Sequence, residues 1–134
     1  MAEVNIKARI EQNGFDIYAE DAFRDENAEI IKYLNSIGKK ALVGIQREDG
    51  IYTIVGEEYV YYLTLSGTTG EMSLDAFRKI LKADAMSLGK KGDFQFLKIN
   101  EQDTVWLKSV ETMNAMWNTI MYLDDINKRK RKTE

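Results

Sequence analysis

The residues whose types and spacing best suit binding or catalysis lie between 59 and 81. There the tyrosine-rich stretch YVYYL leads into the polar loop SGTTGE and then into SLDAFRKIL. A phosphate-binding P-loop requires Lys-Ser or Lys-Thr directly after its last glycine, whereas Glu71 and Met72 follow Gly70. Glycines also suit turns, because they adopt positive φ angles without steric cost. The sequence therefore favours a structural role for the loop and makes the aromatic strands the better candidates for a binding surface.

Catalytic chemistry has few suitable residues, because the 134-residue chain contains neither histidine nor cysteine. The usual general base near neutral pH, the usual zinc ligands and a thiolate nucleophile are therefore missing. A serine or threonine nucleophile would need a lysine or a carboxylate as its partner. We predict a protein that is not an enzyme and has no catalytic residue, metal site or cofactor; an enzyme built on lysine, tyrosine and carboxylates is the less favoured alternative.

Length predicts one domain, placed over residues 1–127, and the pattern of strands and helices given below makes it α+β; the whole chain has 44% hydrophobic and 31% charged residues, as is ordinary for a globular protein. No apolar run approaches the roughly 20 residues that span a bilayer. The N-terminal MAEVNIKARIEQ alternates like a strand and does not resemble a signal peptide. We expect a cytoplasmic protein without a membrane span. Whether it forms a homo-oligomer is left open by the sequence.

Charge is distributed unevenly along the chain. Residues 1–127 carry 14 basic and 21 acidic side chains, a net charge of −7, and the segment 128–134 is predicted to be a disordered basic tail. The tail contributes the candidate nucleic-acid-binding residues Lys128, Arg129, Lys130, Arg131 and Lys132. Its other roles would be contact with a membrane surface or an acidic partner, or simple solubilisation.

Hydrophobic periodicity predicts antiparallel hairpins combined with helices. Asn13-Gly14 predicts a hairpin between strands at 4–12 and about 15–19, with Ile10 opposite Ile17. The remaining predicted elements are helices at 21–37, 74–88 and 110–126, and strands at 41–48, 51–55, 59–65, 93–99 and 104–108. Gly38 is the expected end of the first helix, and Ser73 and Ser109 are the expected N-caps of the other two.

Two aromatic side chains are predicted to be exposed on the sheet. Two-residue loops at Asp49-Gly50 and Glu57-Glu58 would place one set of strand residues in the core: Val43, Ile45, Tyr52, Ile54, Tyr59, Tyr61 and Leu63. Tyr62 then lies on the face opposite this core. A four-residue loop at 100–103 would likewise place Trp106 and Lys108 on the side of their hairpin that faces away from the core. The alternative is a helix that covers both rings.

An internal duplication would explain why DAFR occurs at 21–24 and 75–78, and why SIGKK at 36–40 is followed later by SLGKK at 87–91. The half-repeats would be 4–55 and 59–108, each ββαββ and related by a pseudo-twofold axis, with a closing helix. Chance similarity is the other explanation. If the duplication is real, Lys39-Lys40 and Lys90-Lys91 occupy equivalent positions. These four lysines would either flank one groove or only neutralise the carbonyl ends of the helices.

The order ββββα over 41–88, with the helix entry GEMSLDAFRKIL, resembles the single-stranded-DNA-binding domains of the Whirly and positive-cofactor-four type. The resemblance depends on Gly70, Ser73 and Leu74 and implies that aromatic and basic residues hold a single strand across the sheet. We therefore predict a nucleic-acid-binding protein that prefers single strands. Its binding residues would be Tyr62, Trp106 and Lys108, the paired lysines at 39–40 and 90–91, and the basic tail at 128–132. The alternative is a small acidic regulator or inhibitor, of the phage or mobile-element type, that occupies a basic site on another protein.

Overall fold

The computed structural model describes residues 6–88 and 95–133, and its fold is α+β as predicted. The helices are α1 (Ile6–Asn13), α2 (Phe15–Ala19), α3 (Glu29–Ser36), α4 (Leu74–Leu88) and α5 (Val110–Thr133), with a 3-10 turn at Glu20–Ala22. The strands are β1 (Phe23–Arg24), β2 (Ala41–Gln46), β3 (Tyr52–Gly56), β4 (Tyr59–Leu63), β5 (Thr69–Ser73), β6 (Phe96–Lys98) and β7 (Thr104–Trp106). Strands β1 to β5 form one antiparallel sheet in chain order, and β6 and β7 form a separate hairpin.

The five-stranded sheet is covered unequally on its two faces. Helices α1, α2, α4 and α5 and the β6–β7 hairpin pack on one face, against residues such as Val43, Val55 and Val60. On the other face, α3 packs through Ile31 and Leu34 against residues of β2, β3 and β4. Because α3 has only eight residues, this second face is covered in part, and we call it the α3 face.

Local capping signals place three helix ends correctly. The Ala76 N–H donates to the Ser73 hydroxyl, and the Thr112 N–H donates to the Ser109 hydroxyl, so both predicted N-caps are confirmed. Gly38 has a φ of 88°, and the next N–H, that of Lys39, returns to the Leu34 carbonyl across the end of α3. This arrangement is the Schellman motif that the glycine predicted.

The predicted N-terminal hairpin is wrong, because residues 6–19 form α1 and α2. Gly14 has a φ of 69° and separates the two helices instead of forming a hairpin loop. Of the proposed facing pair, Ile10 is buried and Ile17 is exposed. The alternation was misleading because its polar positions include Lys7, Arg9 and Glu11, residue types that favour helices.

The predicted helix at 21–37 is also wrong over its first half. Residues 20–24 form the 3-10 turn and β1, where Phe23 pairs with Ile45, and α3 begins only at Glu29. The Asn27 N–H donates to the Asp25 carboxylate, a side-chain turn that stops a helix from continuing through the segment.

The internal duplication is contradicted by these elements. The first DAFR lies in a turn and a strand, whereas the second lies within α4. From residue 6, where the described part of the half 4–55 starts, the chain forms helices, whereas 59–108 begins with a hairpin. The second Gly-Lys-Lys, at 89–91, lies outside the described residues.

Strand register was predicted correctly in one hairpin and wrongly in two. The Glu57-Glu58 loop aligns Val55 with Val60 and Ile54 with Tyr61, as expected. The β2–β3 loop has three residues instead of two, because Gln46 lies opposite Tyr52 and the Arg47 N–H donates to the Ile51 carbonyl. A shift of one residue reverses the face of every side chain, so Val43 and Ile45 pack with Tyr62 and not with Tyr61. The β6–β7 loop, by contrast, is one residue shorter than predicted, with three residues instead of four.

The basic tail is not separate from the last helix, because α5 continues through Thr133. Asp124 and Asp125 form ion pairs one turn ahead with Lys128 and Arg129. Such i, i+4 pairs support a helix. The prediction of a disordered segment starting at 128 is therefore corrected.

Candidate functional site

The SGTTGE loop is fixed to the β6–β7 hairpin by the carboxylate of Asp103. The Ser66 hydroxyl donates to Asp103 Oδ1 at 3.0 Å, and the Thr64 hydroxyl lies 3.4 Å from the same oxygen. Donation from Asn100 and Ser66 lowers the pKa of the Asp103 carboxyl below its ordinary value. The loop's hydroxyls thus bind a carboxylate of this chain, which agrees with the structural role predicted for the loop.

Tyr62 is buried, contrary to prediction. Its side chain is 9% exposed and belongs to the core beneath the helices. The ring lies across Gly70 on the neighbouring strand, where a Cβ atom would stand 2.7 Å from the tyrosine hydroxyl. Gly70 is therefore required by close packing, and Tyr62 cannot stack on a base.

Trp106 is half-buried in a groove of about 250 Å³ near β1 and β2. The Arg47 guanidinium lies 5.6 Å from the centre of the indole ring, within cation–π range. Arg24 and Lys108 also line the groove, which contains the acidic residues Glu20, Asp21 and Glu48 as well. The groove thus has mixed charge and is not a basic channel.

Most of the predicted basic residues in the described part of the chain are paired with carboxylates. Lys39 pairs with Glu71, and Lys108 pairs with Glu20. The hydrogen bond that the Lys39 ammonium donates to the Glu71 carboxylate raises the pKa of Lys39. Two further residues, Lys128 and Arg129, pair within α5 as described above. Lys40 is exposed; Lys90 and Lys91, and the side chains of Lys130, Arg131 and Lys132, lie outside the described part of the structure. Since each paired cation is offset by a nearby anion, these residues do not add up to a positive surface.

A cleft of about 260 Å³ opens on the α3 face, between α3 and the edge strand β5. We call it the tyrosine cleft and define it by Tyr33, Ile37, Tyr52, Tyr61 and Glu71. Tyr33 is 57% exposed and Ile37 is 52% exposed. At its edge Tyr59, 38% exposed, lies 6.3 Å from Tyr61 between ring centres. The cleft is therefore an exposed aromatic and aliphatic surface beside a strand edge.

Sequence reasoning missed this cleft because it placed Tyr52, Tyr59 and Tyr61 together in the core. Tyr52 and Tyr61 are indeed buried, but Tyr59 is 38% exposed, and Tyr33 and Ile37, in the C-terminal half of the short helix α3 and just after it, are exposed as well. The predicted helix also began too early, since the observed α3 begins at Glu29. The signal was present in the turn-forming Asp25-Glu26-Asn27, which ends the helical pattern.

A second cleft, of about 270 Å³, has an acidic rim and an apolar floor. Its acidic residues are Glu11, Asp16, Asp25 and Glu26, and its apolar residues include Ile10, Phe23 and Leu42. We call it the acidic cleft. Among residues 6–88 and 95–133, no group of three or more acidic side chains is arranged to hold a metal ion. The acidic cleft thus combines carboxylates with an apolar surface, the two features that the head and the stem of a lysine or arginine side chain require.

No family model, curated protein or solved structure matches this chain. The Whirly-like resemblance therefore stays a prediction, although β2 to β5 followed by α4 do form the ββββα order on which it depends. Over the described residues, no helix has both the length and the apolar character that crossing a membrane requires.

Proposed function

We propose that this chain is a non-enzymatic, protein-binding regulator whose partner occupies the tyrosine cleft. The observation that carries the proposal is the half-covered α3 face, with Tyr33 and Ile37 exposed in one concave site and Tyr59 exposed beside its Tyr61. Tyrosine is enriched in protein interfaces, because it buries a large area and still offers a hydroxyl for hydrogen bonding. Contiguous exposed apolar surface is itself characteristic of interaction sites.

Charge favours a basic partner. The body of the protein, residues 1–127, carries a net charge of −7, and the acidic cleft adds a local concentration of carboxylates. Complementary charge increases the association rate and disfavours acidic competitors more than it adds affinity. The tyrosine cleft would thus supply the binding energy, and the acidic body would select the partner.

Selection of random peptides displayed on phage, with the full chain as bait, tests this function. Peptides that bind the wild type should lose at least about tenfold in affinity, about 1.4 kcal/mol, on the double variant Tyr33→Ala/Ile37→Ala. The matched control is Ile17→Ala/Tyr18→Ala, which removes an exposed isoleucine and an exposed tyrosine from α2. Equal affinity of the selected peptides for both double variants would contradict the proposal.

Binding of single-stranded nucleic acid is a second candidate function, favoured by one observation. Trp106 lies under the Arg47 guanidinium in a groove that also holds Arg24 and Lys108. Arginine and an aromatic ring are the side chains that stack on unpaired bases, at about 1–3 kcal/mol per base. A fluorescent oligothymidylate should then bind at low salt, dissociate as salt rises and bind more weakly to Trp106→Ala. Absence of binding at low salt excludes this candidate.

A further inference from the structure

The tyrosine cleft ends at a strand edge that has no neighbour among the described residues, because β5 pairs only with β4. We propose that the partner enters as an extended segment that adds a sixth strand beside β5. In this mode the partner's backbone bonds to the β5 edge, and its alternate side chains reach the tyrosine cleft. The inference rests on the proposed function and specifies the chemistry of the same site.

Two hydrogen bonds show which backbone groups of β5 face outward. The Thr64 N–H donates to the Thr68 carbonyl at 2.9 Å, and the Leu74 N–H donates to the Glu58 carbonyl at 3.2 Å. In an antiparallel pair, successive residues direct their N–H and C=O groups to opposite sides of the strand. Even-numbered residues of β5 therefore bond to β4. The N–H and C=O groups of Thr69, Glu71 and Ser73 point toward the open edge.

The side chains of the same three residues lie on the α3 face. They stand opposite Leu63, Tyr61 and Tyr59 of β4, and paired residues share a face. A strand added about 4.8 Å beyond β5 would present every second side chain to this face. Only a long side chain can cross β5 and reach Tyr61, so the segment should carry aromatic, long aliphatic, lysine or arginine residues at alternate positions.

Charge favours basic residues among these. Glu71, at the centre of β5, is ion-paired with Lys39 through Oε1, and a lysine or arginine on the added strand would donate to its second carboxylate oxygen. Opposite charges directly across two strands stabilise their pairing. A lysine or arginine facing Glu71 would also match the negative charge of the protein body. The segment is therefore extended, net positive and apolar at alternate positions.

The opposite edge of the sheet offers no comparable template. β1 has only two residues, and the Arg24 guanidinium donates to the carbonyls of Asp21 and Phe23 beside it. Short edge strands and charged side chains at the edge are common ways of preventing strand addition. β5 has five residues, and its outward-facing positions Thr69, Glu71 and Ser73 are all exposed. Strand addition is therefore expected at β5.

The variant Thr69→Pro tests the inference, because proline removes an outward N–H and leaves the bonds to β4 in place. Peptides that depend on Tyr33 and Ile37 should lose at least about tenfold in affinity on Thr69→Pro and keep their affinity on the control Thr69→Ala. Hydrogen exchange on the wild type gives a readout that does not depend on the variant folding. Peptide binding should slow exchange at the amides of Glu71 and Ser73.

The remaining outcomes separate this inference from the proposed function. If cleft-dependent peptides bind Thr69→Pro as well as wild type and leave both β5 amides unprotected, strand addition is wrong while the cleft function stands. If the free chain self-associates and Thr69→Pro makes it monomeric, a second copy occupies the edge and the partner segment is wrong. If oligothymidylate protects these amides and no peptide does, the ligand is nucleic acid. If no selected peptide depends on Tyr33 and Ile37, both proposals fall.

Discussion

Replacement of Gly70 by alanine should destabilise the protein, although the same change usually has little effect in a strand. The added Cβ would stand 2.7 Å from the Tyr62 hydroxyl oxygen and 2.9 Å from Cζ of the same ring. The ring is buried and cannot swing into solvent, so either the ring or the β4–β5 pairing must shift. Overpacking of this kind costs about 1–3 kcal/mol, and loss of glycine's freedom in the unfolded chain offsets less than about 1 kcal/mol. We expect a net loss of about 1–2 kcal/mol in the free energy of unfolding.

Urea unfolding monitored by tryptophan fluorescence measures this loss. Thr69→Ala is the control, because its side chain is exposed on the opposite face of the same strand. In a Tyr62→Val background the ring is absent, so the additional change Gly70→Ala should cost nothing. A Gly70→Ala variant as stable as wild type, or an equal cost in both backgrounds, would show that the tyrosine ring does not require the glycine.

Three further predictions concern stability and the tail. Thr53→Val should lower the free energy of unfolding, measured in urea, by about 1–3 kcal/mol, because it removes the hydroxyl of a fully buried threonine that donates at 2.6 Å to the part-buried Trp106 carbonyl; an unchanged midpoint would contradict this. Arg78 and Lys79 lower the pKa of Asp75 from 3.8 to about 2, so this carboxylate stabilises the fold fully above pH 3.8, and that contribution is lost as pH falls toward 2. The thermal midpoint of Asp75→Asn should therefore depend less on pH between 4 and 2 than that of wild type, because the variant takes up about one proton fewer on unfolding. Parallel plots of midpoint against pH for the two proteins would refute this role of Asp75. Deletion of residues 128–132 should leave the affinity for peptides that depend on the tyrosine cleft within about twofold of the wild-type value. A larger loss of affinity would show that the tail is part of the binding site.

Local chemistry predicted the local structure well. Ser73 and Ser109 cap their helices and Gly38 ends α3, because a cap depends on neighbouring residues alone. The Glu57-Glu58 loop fixed the β3–β4 register correctly for the same reason. These features required no knowledge of the rest of the fold.

Features that depend on distant packing could not be predicted in the same way. One extra residue in the β2–β3 loop moved Val43 and Ile45 to the opposite face, since strand side chains alternate with a period of two. Burial of Tyr62 depends on which helices pack over that face of the sheet, and exposure of Tyr33 depends on how α3 is oriented when Ile31 and Leu34 pack against the sheet. The tyrosine cleft is the combined result of these non-local choices.

Chemical-shift mapping of the isotope-labelled protein with a selected peptide tests whether the tyrosine cleft and the β5 edge hold the partner. We expect the perturbed amides to cluster on α3, β4 and β5, around Tyr33 and Glu71. Perturbations confined to the acidic cleft or to the groove around Trp106, with α3 and β5 unchanged, would contradict it.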